Sequence, residues 1–234
     1  MIIGIVGNIG SGKDTVANYL ITKYQFKQDS FAANVKAALS VIFGWDIKML
    51  EGTTPESRTW REQVDEWWAN RLGIPHLTPR WVMTYWGTDL ARNMFHNDIW
   101  IASLEKRLNY DDNIVISDGR FINEIDSIRK YNGIIIKVMR GGDPEWASYA
   151  KDIFSDTAPK TVKNDAFAHL SQLNIHRSEW EQYGINYDYI IHNDGSLDQL
   201  YFEIDNIINQ ELNLPASTLS LPDVVSVDSW NKQF

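Results

Sequence analysis

The chain has 234 residues, 44% of them apolar, with 31 acidic against 22 basic side chains and no cysteine. That length fits one domain of ordinary core size with room for an insertion, and the missing cysteines exclude disulfides, thiolate zinc sites and a cysteine nucleophile. A net charge of −9 argues against wrapping duplex nucleic acid, whose non-specific affinity comes from lysine and arginine displacing counterions, so any anionic ligand must be held locally.

No apolar run approaches the roughly 20 residues that a membrane span needs, and the opening Met-Ile-Ile-Gly lacks the basic stretch of a signal peptide. The expectation is a soluble protein of the cytoplasm. Ile2 to Val6 is an unbroken apolar run ending at Gly7, which reads as a strand buried on both faces. Val16, Leu20 and Tyr24 then recur at helical spacing, and Phe26 to Ser30 returns as a second strand. Ser30 stands as the N-cap of a helix with Val35, Leu39, Ile42 and Phe43 on one face and Gly44 as its stop.

Residues 45–110 contain no strand pattern and read as a helical insertion, with helices near 55–72, 79–93 and 97–109. Ile114 to Ser117 is the next buried strand, followed by a helix over Phe121 to Lys130 and a strand over Gly133 to Met139. From Gly141 to about Asn174 the Gly-Gly, Asp-Pro and Ala-Pro breaks predict an irregular, mobile segment. Tyr187 to Ile191 is the last strand, and Ser196 with Gln199 forms a capping box for a helix with Leu200, Ile204, Ile207 and Ile208 on its face. The tail over 215–234 has no periodicity. Strands alternating with helices predict an α/β protein with an open, mostly parallel sheet of five strands between helical layers, in which ligands bind beyond the carboxyl ends of the strands.

Gly7-Asn8-Ile9-Gly10-Ser11-Gly12-Lys13 follows the first strand and opens the first helix. That context and spacing are those of a phosphate-binding loop: glycines let successive N–H groups face phosphate oxygens, the helix adds the positive end of its dipole, and Lys13 reaches the β and γ phosphates. Asn8, Gly10, Ser11, Gly12, Lys13, Asp14 and Thr15 are therefore the expected ATP contacts. The residue after Lys13 is Asp14 rather than the usual Ser or Thr, with Thr15 one place later. Asp14 either reaches Mg²⁺ through water or only complements the helix dipole. Asp118, at the end of a buried strand, is a candidate for the metal side of the site or for an N-cap.

Arg80, Arg92, Arg120, Arg140 and Arg177 recur near element ends. Two phosphate groups repel each other until planar guanidinium groups neutralise and align them, whereas an isolated arginine is as readily a surface ion pair. No general base is evident, which suits an acceptor oxygen that is already anionic. The five histidines lack a metal-binding spacing. The ten tryptophans, including Trp60, Trp67, Trp68, Trp81, Trp86 and Trp100, concentrate in the insertion, either as its core or as a platform for a base.

Taken in order, Gly-Lys-Asp-Thr, Phe31-Ala32 with Lys36, Arg80, Gly87-Thr88-Asp89 with Arg92 and Trp100, Asp118-Gly119-Arg120 with Glu124, Met139-Arg140, His176-x-Ser178-Glu179 and Asn193-Asp194-Gly195-Ser196 resemble the bacteriophage deoxynucleoside monophosphate kinases, a branch of the P-loop nucleotide monophosphate kinases. The resemblance implies a three-layer P-loop fold that transfers the ATP γ-phosphoryl, with Mg²⁺, to a deoxynucleoside 5′-monophosphate for DNA precursor supply, as a homodimer in the host cytoplasm. It further implies Lys13, Arg92, Arg120 and Asp118 at the reacting groups, and Arg140 on ATP. Lys36, Arg80, Thr84, Gly87, Thr88, Asp89, Arg92, Trp100, Arg120 and Glu124 would hold the acceptor, Asp14, Thr15 and Asp118 would lie on the metal side, and residues 141–180 would be a lid carrying His176, Arg177 and Glu179. Thr84 and Tyr85 stand where that pattern has a glutamine and a small residue, which leaves the preferred base open. The alternatives are a kinase resembling dephospho-coenzyme A kinase, or a non-catalytic ATP-binding module.

Overall fold

The structure, a computed structural model, describes residues 1–213; the expected tail over 215–234 lies outside the described residues. In chain order the elements are β1 (Ile2–Val6), α1 (Lys13–Tyr24), β2 (Lys27–Asp29), α2 (Ala33–Phe43), α3 (Ile47–Glu51), α4 (Pro55–Arg61), α5 (Glu66–Leu72) and α6 (Pro79–Thr84). A π-helix (Tyr85–Phe95) follows, then α7 (Ile99–Glu105), β3 (Ile114–Ile116), α8 (Ile122–Lys130), β4 (Ile134–Met139), α9 (Ala147–Phe154), α10 (Lys160–Gln172) and α11 (Arg177–Trp180). A 3₁₀ turn (Glu181–Gly184), β5 (Tyr189–His192) and α12 (Leu197–Asn213) complete them. They form two units, Met1–Gln28 with the described residues from Tyr110 onward, and Asp29–Asn109.

The first unit is built on the sheet, whose strand order is β2-β3-β1-β4-β5. β1 pairs in parallel with β3 and β4, and β4 with β5, with Gly4 opposite both Ile116 and Ile135. Every residue of β1 is buried, as its unalternating apolar sequence requires of a central strand covered on both faces. One face packs Ile3, Ile5, Val115, Ile136, Val138 and Ile191 against Val16 and Leu20 of α1 and against Leu200, Ile204 and Ile208 of α12. The Ser196 and Gln199 box is formed in both directions, at 3.3 and 2.9 Å. Because β1 lies between β3 and β4, chain connections leave it in opposite directions, and the loop after its carboxyl end occupies the crevice that such a switch point creates.

The expected irregular segment is corrected here. Residues 147–154 and 160–172 are helices, and their Ala150 and Leu170 pack with Trp180, Trp146 and Ile153 into a small separate core. Ala158-Pro159 is a helix start, with Pro159 at the N-cap of α10, since proline fixes the backbone angle that a first turn needs and forgoes only a donor that has no partner there. Asp143-Pro144 lies in the turn before α9, whose N-cap is Trp146.

The second unit is helical. Val35, Leu39, Trp45, Leu50, Ala69, Leu77 and Val82 form its core, lined by Phe43, Trp60, Trp68, Trp81, Trp86 and Trp100. Trp45 donates to Asp65 at 2.8 Å and Trp68 to the Phe43 carbonyl at 3.1 Å, so these indoles satisfy their N–H groups inside the unit. Trp67 is exposed.

Several expected elements change. The helix expected near 55–72 is two helices, because Asp65 caps α5 through the Trp68 N–H. The one expected near 79–93 is α6 continuing as the π-helix. Ala32, not Ser30, is the N-cap of α2, and Ile42 is exposed rather than part of the buried face.

Candidate functional site

In the sheet unit the chain turns from β1 into α1 through Gly7, Gly10 and Gly12 at φ 151°, 81° and 103°. A side chain at Gly7 would place its Cβ 2.3 Å from the Val138 carbonyl oxygen, and one at Gly12 would meet Asn193 Nδ2 at the same distance. Those glycines are needed for close approach as well as for angle. Gly12, the N-cap of α1, supplies no side-chain cap, which leaves first-turn N–H groups for an anion. Asn193, on the loop after β5, donates from Nδ2 to the Ser11 carbonyl at 2.9 Å and so braces the turn.

Lys13 folds its ammonium back on the loop, donating to the carbonyls of Gly7 at 2.7 Å and Asn8 at 2.9 Å. Burial, and next the Arg120 guanidinium, lower its pKa to about 8, against the opposing pull of Asp14 and Glu179. Lys13, Arg120 and Glu179 thus share one electrostatic neighbourhood beside the loop. Arg120 forms an ion pair with Glu179, and Arg177 forms one with Glu181. Glu124 is buried, and its carboxylate accepts the N–H groups of Arg120 at 2.7 Å and Phe121 at 3.1 Å. It holds the backbone from which Arg120 projects. Asp118 follows β3 and is half-buried, while Asp14 is exposed and Thr15 half-buried in the first turn of α1. Arg140 is exposed just past β4.

The segment carrying His176, Arg177 and Glu179 meets the loop through side chains that the sequence reading did not single out. Gln182 Nε2 donates to Asn8 Oδ1 at 2.8 Å, Asn8 Nδ2 donates to the Tyr183 hydroxyl at 3.4 Å, and that hydroxyl donates to Asp143 at 3.1 Å. His176 Nδ1 accepts from the Ser178 N–H at 3.2 Å and caps α11. Only a buried position for Gln182, visible after folding, distinguishes it from a surface glutamine.

In the helical unit Lys36 pairs with Glu51 at 2.7 Å and Arg80 with Glu62 at 2.9 Å. Thr84 donates its hydroxyl to the Arg80 carbonyl at 3.2 Å. Gly87, Thr88, Asp89 and Arg92 all lie on the π-helix, a geometry found often at functional sites. The Gly87 carbonyl accepts Trp100 Nε1 at 2.8 Å, Asp89 accepts Asn93 at 3.4 Å, and Arg92 is buried with its guanidinium on the Asn97 carbonyl at 2.7 Å. Among the described residues no group of three or more His, Asp or Glu side chains is arranged to hold a metal, and no helix is long and apolar enough to cross a membrane.

No family model matches the chain. A mimivirus protein named "Putative deoxynucleotide monophosphate kinase" is 35% identical over 156 residues, spanning 61% of this chain and 75% of its own length. The chain belongs to the deoxynucleotide monophosphate kinase family. A second relative of this kinase, the deoxynucleoside-5′-monophosphate kinase of Escherichia phage T5, is 26% identical over 190 residues, 56% of this chain and 73% of its own length. The shikimate kinase of Bacteroides thetaiotaomicron, a solved structure, is 14% identical and covers 91% of this chain and 97% of its own with a TM-score of 0.37, too low for the likeness to carry weight. Both relatives are viral, and neither favours the coenzyme A kinase alternative.

Proposed function

We propose that this protein transfers the γ-phosphoryl group of ATP to the phosphate of a deoxynucleoside 5′-monophosphate, yielding ADP and the diphosphate. The observation that carries the reading is the glycine loop with Lys13 turned into it and Arg120 alongside. An acceptor phosphate oxygen attacks the γ phosphorus, the bond to the β–γ bridging oxygen breaks, and ADP departs with that electron pair. No proton has to be removed from an acceptor oxygen that is already anionic. Loop N–H groups and Lys13 hold the β and γ phosphates, and Arg120, held from behind by Glu124, meets the charge that spreads over the moving group. Arg140 is assigned to ATP, while Lys36, Arg80, Thr84, Gly87, Thr88, Asp89, Arg92 and Trp100 are assigned to the acceptor.

The oxygen donors of Asp14, Thr15 and Asp118 suit Mg²⁺, which takes one or two carboxylates together with waters and substrate phosphates rather than a full protein cage. When bound, Mg²⁺ would neutralise phosphate charge. Residues 141–180 would close as a lid to keep water from competing as acceptor. A homodimer in the host cytoplasm completes the proposal.

The test is ADP release measured with each deoxynucleoside monophosphate in turn. Acceptor-dependent release, lost in Lys13→Ala, supports the kinase. Equal release without acceptor would make the protein an ATPase.

A further inference from the structure

Lys137 stands in the middle of β4, opposite Val6 of β1 and Ile190 of β5, and only 9% of it is exposed. A cation in a central strand is costly unless its charge finds compensation. Among the described residues no carboxylate forms an ion pair with it; its ammonium lies over the rings of Tyr187 at 4.8 Å and Tyr183 at 5.2 Å, where the negative ring faces supply part of that compensation. Burial lowers its pKa, with Asp143 acting against that shift and Lys151 adding to it. Ser11, in the phosphate loop, is 3% exposed, and its Oγ is buried with no hydrogen-bond partner among the described residues.

The residues that carry these two groups line one partly open pocket, with room of about 10 Å³, together with Asn8, Gly141 and Asp143. That is about the room one water needs, and the lining offers the several polar partners that a buried water requires. The rim is tied together: Asn8 contacts Tyr183 and Gln182, and Tyr183 donates to Asp143. We infer that Lys137 is a positioning residue for the phosphate loop, holding one buried water against Ser11 Oγ while its two tyrosines fix the 181–184 turn to Asn8. The hydroxyl that has no hydrogen-bond partner among the described residues thereby gains one, and the loop is braced against β4. This rests on the loop binding ATP, as proposed above.

The experiment is calorimetric titration of the full chain with a non-hydrolysable ATP analogue and Mg²⁺, beside the KM of each substrate, for Lys137→Met, Ser11→Ala and the double variant. The expected result is an analogue affinity about tenfold weaker in Lys137→Met, the scale of one lost charge-assisted hydrogen bond. The acceptor KM should stay unchanged, and the double variant should be no worse than Lys137→Met, because both changes break one water bridge. Unchanged affinity in Lys137→Met, equal shifts in both substrates, or effects that multiply in the double variant would overturn the inference. A crystal structure of the wild-type protein at high resolution provides a measurement independent of folding of the variants: a water within hydrogen-bond distance of both Ser11 Oγ and Lys137 Nζ supports the inference, and a dry cavity refutes it. Wild-type protein that binds no ATP analogue would instead defeat the kinase reading.

Discussion

Arg120 and Glu179 are joined by an ion pair across 59 residues of sequence. Their side chains are 38% and 31% exposed, so solvent screening leaves such a pair worth no more than about 1 kcal/mol. In the nucleotide-free protein the pair gives Arg120 a carboxylate partner that a phosphate would have to displace. Glu179→Gln is expected to strengthen ATP binding by up to about fivefold, the equivalent of that energy. Titration of the variant checks it: weaker binding would mean that Glu179 instead holds Arg120 where the nucleotide needs it.

Lys13 gives a pH prediction with two opposite signs. Its pKa is lowered by burial to about 8 from an ordinary 10.5, and only the charged form attracts phosphate. ATP affinity should be flat below neutrality and fall as pH rises through about 8, approaching tenfold per unit. For stability the sign reverses. Between pH 8 and 10.5 the unfolded chain holds the proton that the folded chain has lost, so the Lys13 contribution makes the ligand-free protein more stable as pH rises. Lys13→Met should lose the binding profile and, at pH 7, melt no lower than wild type. Thermal melts and ATP titrations over pH 6–10 separate the two effects.

Gly7 and Gly10 both have positive φ, but their surroundings differ. Alanine at Gly7 would drive Cβ to 2.3 Å from the Val138 carbonyl oxygen, whereas alanine at Gly10 meets nothing within 4 Å. Gly10→Ala should therefore cost only the backbone term of about 1–2 kcal/mol, and Gly7→Ala should cost several kcal/mol or fail to fold. Denaturant melts of the two variants provide the comparison, and equal losses would show that the loop gives way at Gly7.

These two cases also show which parts of the protein were legible beforehand. The loop and the Ser196 box are local devices, in which a few adjacent residues determine the backbone, so the residue order is enough. The helices over 147–154 and 160–172 were not, because their apolar residues are few and gain partners only when Ala150, Leu170 and Trp180 meet. The break after Arg61 and the π register after Thr84 depend on caps and packing, which periodicity does not report. Lys137 sits in an apolar run that reads simply as a strand, and its significance comes from Tyr183 and Ser11, remote in sequence. In the candidate site, the resemblance implies an acceptor contact at Glu124, and only the folded chain shows its carboxylate accepting the N–H groups of Arg120 and Phe121.

Arg80 and Arg92 are both proposed to hold the acceptor phosphate, and their burial distinguishes what their loss should do. Arg80 pairs with Glu62 at side-chain exposures of 40% and 59%, so Arg80→Ala should cost less than about 1 kcal/mol of stability while raising the acceptor KM. Arg92 is 4% exposed and donates to the Asn97 carbonyl at 2.7 Å. Its removal leaves that carbonyl without the donor and opens space within the helical unit, at a cost of about 2–4 kcal/mol, or a melting shift of about 4–15 °C for a chain of this size. Arg92→Ala should thus lose stability and turnover together, and turnover measured well below its melting temperature isolates the part due to the acceptor. An Arg92→Ala protein that melts like wild type would refute the structural role, and one that turns over normally at low temperature would remove Arg92 from the acceptor site.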